Sequence, residues 1–121
     1  MITVCKELPE ENELEDYDSV WFINYNTQKM PDKAHFHPEL SPRRELYHLY
    51  ESDAIPIQHM LQVFSNDLSK GEYSTEIEAL IDYARGKNVM IMSPEVNYVQ
   101  SVRRILYNYL NSNCTCDLQL G

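Results

Sequence analysis

The stretch Ile77-Glu78-Ala79-Leu80-Ile81-Asp82-Tyr83-Ala84-Arg85-Gly86-Lys87-Asn88-Val89-Met90-Ile91-Met92 contains a helix, its stop and a buried strand in succession. Ile77, Leu80, Ile81 and Ala84 fall at the spacing of one helical face. Gly86 stands where a helix-terminating residue turns left-handed. Val89 to Met92 is then a continuous apolar run, the pattern of a strand covered on both faces of a parallel sheet. A helix feeding directly into such a strand is half of a crossover unit, so the expected class is α/β.

Upstream, Ser74-Thr75-Glu76 opens this helix, with Thr75 as the expected cap and Glu78 three residues on completing a capping box. Ile57, Met60, Leu61, Phe64 and Leu68 mark one face of an earlier helix that starts near Pro56 and ends before Gly71. Ser41-Pro42-Arg43-Arg44-Glu45 reads as a helix start, followed by Leu46, Tyr47, Leu49 and Tyr50 on the buried side. Downstream, Ser93-Pro94-Glu95 repeats the Ser-Pro signal. The last helix is therefore expected to run from there to about Asn111, with Val96, Val99, Val102, Leu106 and Leu110 apolar. Ile2–Cys5 and Ser19–Tyr25 read as strands, the second central, and Leu118-Gln119-Leu120 as a short edge strand. Residues 26–41, with Pro31 and Pro38, lack periodicity and read as a long loop. The expectation is one domain over 1–121: a small layered α/β unit with a short, mostly parallel sheet and about four helices.

With 121 residues, 14.3 kDa and 43% hydrophobic residues, the chain has enough material for a single core. A net charge of −9 argues against a nucleic-acid binder, whose affinity comes from Lys and Arg on phosphates, and favours a basic partner instead. No apolar stretch is long enough for a membrane span, and an acidic N-terminus does not suit a signal peptide, so a cytoplasmic protein is expected. Residues 1–18 carry Glu7, Glu10, Glu11, Glu13, Glu15, Asp16 and Asp18 against Lys6 alone. This acidic segment is expected to be a solvated loop that adds little to the core, or else a docking face for a basic partner.

Cys5, Cys114 and Cys116 match no disulfide framework and are expected to stay thiols. Cys114 and Cys116 could ligate a metal, but a structural zinc site needs four ligands and no second Cys pair exists; His35 and His37, in a stretch that reads as loop, are the minor alternative for completing it, and no metal or cofactor is expected. Arg43, Arg44, Arg103 and Arg104 could gather around a phosphate. Trp21, Tyr25 and Phe36 could stack a base, with Asn24 as a neighbouring polar contact. No Gly-rich phosphate loop, serine nucleophile elbow or His-Glu-x-x-His motif occurs.

The segment from Ser74 to Val89, with its small-Thr-x-x-Glu helix start and closing Gly-Lys-x-Val, resembles the nucleoside 2-deoxyribosyltransferase family. More distantly it is similar to TIR-type NAD-cleaving domains. The resemblance implies an α/β fold in which Glu78 is the catalytic carboxylate and Ser74 and Thr75 contact the ligand. The implied reaction is transfer or hydrolysis at an N-glycosidic bond, where a carboxylate attacks or stabilises an oxocarbenium-like centre.

Two functions therefore stand at the level of sequence. The first is binding of a nucleotide or ADP-ribose-like ligand, to sequester or process a nucleotide signal, in a homodimer with pockets near the subunit interface. The alternative is an acidic interaction protein, of the phage anti-defence or immunity type, that blocks a basic surface of its partner.

Overall fold

The computed structural model describes residues 1–7, 9–25 and 34–121, with Glu11 by its backbone alone. Its strands are β1 (Ile2–Val4), β2 (Ser19–Phe22), β3 (Ala34–Phe36), β4 (Val89–Met92) and β5 (Leu118–Leu120). The helices are α1 (Arg44–Glu51), α2 (Ile57–Ser69), α3 (Ser74–Ala84) and α4 (Val102–Asn113). All strands are parallel, in the order β3-β2-β4-β1-β5. The α/β class, the parallel sheet and the four helices are as the sequence implies.

Strand register divides the side chains between two faces. Ile2 pairs with Val89 and Leu118, and Val4 with Ile91 and Leu120; Trp21 pairs with Ile91 and His35. Of these, Ile2, Val4, Trp21, Val89 and Ile91 are buried in the main core, into which all four helices send apolar residues, among them Leu46, Phe64, Leu80 and Leu106. The alternate residues Val20, Phe22, Ala34, Met90 and Met92 form a second, smaller core with Cys5 and Leu14, against which Tyr17 and Phe36 pack. None of the four helices contributes to that second core.

Among the described residues, the acidic segment packs on the second face. Glu11–Asp16 forms a 3₁₀ helix, and Leu14 within it is only 2% exposed. The expectation that this segment adds little to the core is thus corrected: one leucine in a charged run seals one side of the sheet. Topology explains the placement. The connection from β1 to β2 runs across the sheet opposite to those from β3 to β4 and from β4 to β5. Right-handed crossovers then require it to lie on the opposite face.

Other boundaries also move. The loop expected over 26–41 contains β3 and a 3₁₀ turn at Pro38–Leu40, while its portion 26–33 lies outside the described residues. β4 is the central strand, with β2 interior beside it. α1 starts at Arg44, after Ser41 has closed the 3₁₀ turn. α3 starts at Ser74 with Tyr73 at the cap position and no side-chain cap, so Thr75 and Glu78 form no capping box. The Ser93-Pro94 signal opens no helix: α4 starts eight residues later, capped by Ser101, whose hydroxyl accepts from the Arg104 amide at 3.2 Å. Val96 and Val99 are consequently exposed. Gly86 adopts φ +74 just past α3, as its position implies.

Candidate functional site

In open parallel α/β sheets, ligands meet the carboxyl ends of the strands, where neighbouring connections leave to opposite faces. By strand order that reversal falls between β2 and β4; one strand along, the carboxyl ends of β1, which leads into the acidic 3₁₀ helix, and β4, which leads into α4, form a junction. A fully buried guanidinium closes it. Arg103 Nε donates to the Cys5 carbonyl at 2.8 Å, and Nη1 donates to Ser93 Oγ at 3.0 Å and to the Ser93 and Glu95 carbonyls. One residue of α4 thus ties the end of β1 to the end of β4.

Around it lies a buried polar cluster. Glu95 Oε1 accepts from Ser93 Oγ at 2.9 Å and from the Val102 amide at 2.8 Å, where it serves the N-terminus of α4. Burial pushes the Glu95 carboxyl above its ordinary range, against the pull of those hydrogen bonds and of Arg103. Burial likewise raises the Cys5 thiol, with Arg103 drawing it back. The Tyr98 ring lies 5.7 Å from the Arg103 guanidinium carbon. Three buried groups along this edge have no hydrogen-bond partner: Asn24 Nδ2, Tyr98 Oη and Arg103 Nη2.

On the second face, between the acidic 3₁₀ helix and the carboxyl end of β1, opens a cleft of about 650 Å³. Its lining includes Glu7, Glu10, Glu13 and Asp16 against Lys6, over Cys5, Met90 and Tyr17. The 3₁₀ geometry produces this arrangement. With three residues per turn, Glu10, Glu13 and Asp16 stack along one edge, while Leu14 and Tyr17 stack along the edge facing the sheet. Glu13 Oε2 accepts from the Glu10 amide at 3.3 Å and fixes the first turn. A smaller cleft of about 320 Å³ lies among Tyr25, Ser41, Arg43, Tyr73 and Glu76.

The sequence candidates separate. Trp21 is 8% exposed, stacked on His37 at 3.7 Å and with the Tyr83 ring at 5.4 Å, so its ring is engaged within the protein. Asn24 is buried, its Oδ1 accepting from the Tyr25 amide at 2.8 Å. Tyr25 is half-buried with the Arg44 guanidinium 5.0 Å from its ring, and Arg43 Nε sits 3.2 Å from the buried Asp67 carboxylate. Arg103 lies inside the protein at the carboxyl ends of β1 and β4, whereas Arg104 bonds the Val99 carbonyl at 2.7 Å near the surface. Ser74, Thr75 and Glu78 are exposed on α3 and line neither of these clefts. Tyr25, Arg43 and Arg44 are therefore brought together; Trp21, Arg103 and the α3 residues are not gathered with them.

Sequence reasoning missed the cleft-lining role of Glu10, Glu13 and Asp16, although the signal was their strict spacing of three. It also missed Glu95 and Tyr98, whose segment was assigned to helix. Among the described residues, no group of three or more His, Cys, Asp or Glu is placed to hold a metal ion, and no helix is long and apolar enough to cross a membrane. No family model, curated protein or solved structure matches the chain.

Proposed function

We propose that this chain is a binding protein that engages a basic polypeptide segment in the acidic cleft beside its N-terminal 3₁₀ helix. The observation that carries the reading is the lining of that cleft: four carboxylates against one lysine, over a floor that includes Met90 and Tyr17. A Lys or Arg side chain suits this chemistry, with its aliphatic stem on the apolar floor and its cationic head among carboxylates. The chain's net charge of −9 adds long-range attraction for the same partner.

The test is fluorescence anisotropy with a labelled Lys/Arg-rich peptide over a range of salt concentrations. Wild-type protein should bind saturably, weakening steeply with salt, and the combined variant Glu10→Gln, Glu13→Gln, Asp16→Asn should lose most of that affinity. An equal number of neutralisations on the helical side, at Glu45, Glu72 and Asp82, should leave most of it. Equal losses in the two variants would reduce the effect to net charge and sink the proposal.

A second reading is favoured by one observation. Tyr25, with Arg44 over its ring and Arg43 close by, offers a stacking platform and cations beside the 320 Å³ cleft. A nucleotide or ADP-ribose-like ligand would use that chemistry. N-glycosidic catalysis by Glu78 belongs to this reading and rests on the sequence resemblance; assembly as a homodimer belongs to it because so short a chain offers only shallow clefts of its own. A thermal shift with ADP-ribose or NAD that disappears in Tyr25→Ala supports it, and no shift at millimolar ligand removes it.

A further inference from the structure

We infer that Arg103 Nη2 and Tyr98 Oη form an oxyanion-binding position at the carboxyl ends of β1 and β4, one that takes the phosphoryl group of a small molecule. This site does not depend on the acidic cleft or its partner.

The argument begins with Arg103, whose side chain is completely buried. Its Nε and Nη1 are spent on three carbonyls and a hydroxyl, all neutral acceptors. Among the described residues no carboxylate stands within ion-pair distance of it. Nη2 has no partner, and neither does the buried hydroxyl of Tyr98, whose ring lies beside the same guanidinium. A buried cation with a free donor is costly to fold around, and the hydroxyl of the side chain that its guanidinium lies beside also lacks a partner. An oxyanion would accept from both and would neutralise the guanidinium.

The surroundings agree with this chemistry. Pro94, Glu95 and Tyr98 are each half-buried, so the guanidinium lies one side chain beneath the carboxyl edge of the sheet. Ligands of parallel α/β folds bind at that edge. Among the described residues, Glu95 is the carboxylate bonded into this cluster, and its Oε1 is already committed to Ser93 and the first amide of α4. Glu95 therefore opposes the anion without occupying its place.

The experiment follows the side-chain guanidinium NMR signals of Arg103 in the full chain during titration with inorganic phosphate. Ionic strength is held constant with sodium chloride. The expected result is a saturable shift by about 50 mM phosphate, in the millimolar affinity range of a single buried oxyanion contact. Tyr98→Phe, which removes only the hydroxyl, should weaken binding on the order of tenfold. Glu95→Gln should tighten it, because the opposing charge goes while the acceptor to Val102 stays. A parallel titration with AMP identifies the carrier: tighter binding than phosphate assigns a nucleoside-borne phosphoryl group, and equal binding assigns the free anion. No saturable shift, or Tyr98→Phe and Glu95→Gln both binding as wild type does, overturns the inference and leaves Arg103 as a strut alone.

Discussion

Replacing Leu14 by alanine should destabilise the whole domain, although Leu14 sits in the most highly charged stretch of the chain. Its side chain is 2% exposed and belongs to the small core of Cys5, Val20, Phe22, Ala34, Met90 and Met92. Leu→Ala truncation in a core costs about 2–5 kcal/mol, the spread reflecting how far the site can collapse. Met90 and Met92 are flexible neighbours that can partly refill the space, which places the expected loss near the low end, about 2–3 kcal/mol. A domain of this size holds roughly 5–15 kcal/mol in total, so the loss is a large fraction. Urea unfolding followed by the fluorescence of Trp21, the chain's one tryptophan, and by far-UV circular dichroism measures it. Glu10→Gln, as the control in the same segment, should change stability by less than about 0.5 kcal/mol. A Leu14→Ala loss no larger than that control would mean the segment does not seal the sheet, and the account of the second face would fail.

Other outcomes follow from the same structure. Gly86 has φ +74 with open space where a side chain would start, so Gly86→Ala should cost about 1 kcal/mol through backbone strain alone, read by thermal or urea unfolding. Burial, reinforced by Glu51 and Glu95, pushes the Tyr47 hydroxyl up to about 12. Because the folded value is raised above the unfolded one, its stabilising contribution is complete below about pH 10 and is lost as pH rises toward 12. Tyr47→Phe should accordingly flatten the fall of stability across that window, and an unchanged slope would refute the assignment. Cys5 is buried with its thiol raised, whereas Cys114 and Cys116 are half-buried; a thiol reagent should modify the latter two first and Cys5 only on unfolding.

Much of this architecture was legible wherever one residue pattern had one structural meaning. Val89–Met92 is apolar throughout because the central strand is covered on both faces, and α2 and α3 announce themselves by periodicity and by glycines beyond their ends. β3 gave no such signal: Ala34-His35-Phe36 is a three-residue edge strand whose middle side chain faces outward, too short to alternate visibly. The start of α4 was misplaced because Ser93-Pro94 imitates a helix start. In the structure Ser93 and the Glu95 carbonyl are held by Arg103, and the Glu95 side chain supplies the cap from outside the helix. Arg103 itself reads in sequence as a surface charge on a helix. Its burial follows from where the topology sends α4 across the ends of β1 and β4, which no local pattern encodes. Leu14 was hidden for the complementary reason: a single apolar residue carries no period.

The central claim, that the acidic face of the sheet is the docking site, is tested most directly by following backbone amide NMR signals during titration with a Lys/Arg-rich peptide. The account predicts shifts concentrated at Lys6, Glu7, Glu10, Glu13, Asp16, Tyr17 and Met90, which line the cleft. Shifts concentrated instead on α1, α2 and α3, or spread evenly over every exposed carboxylate, would contradict it.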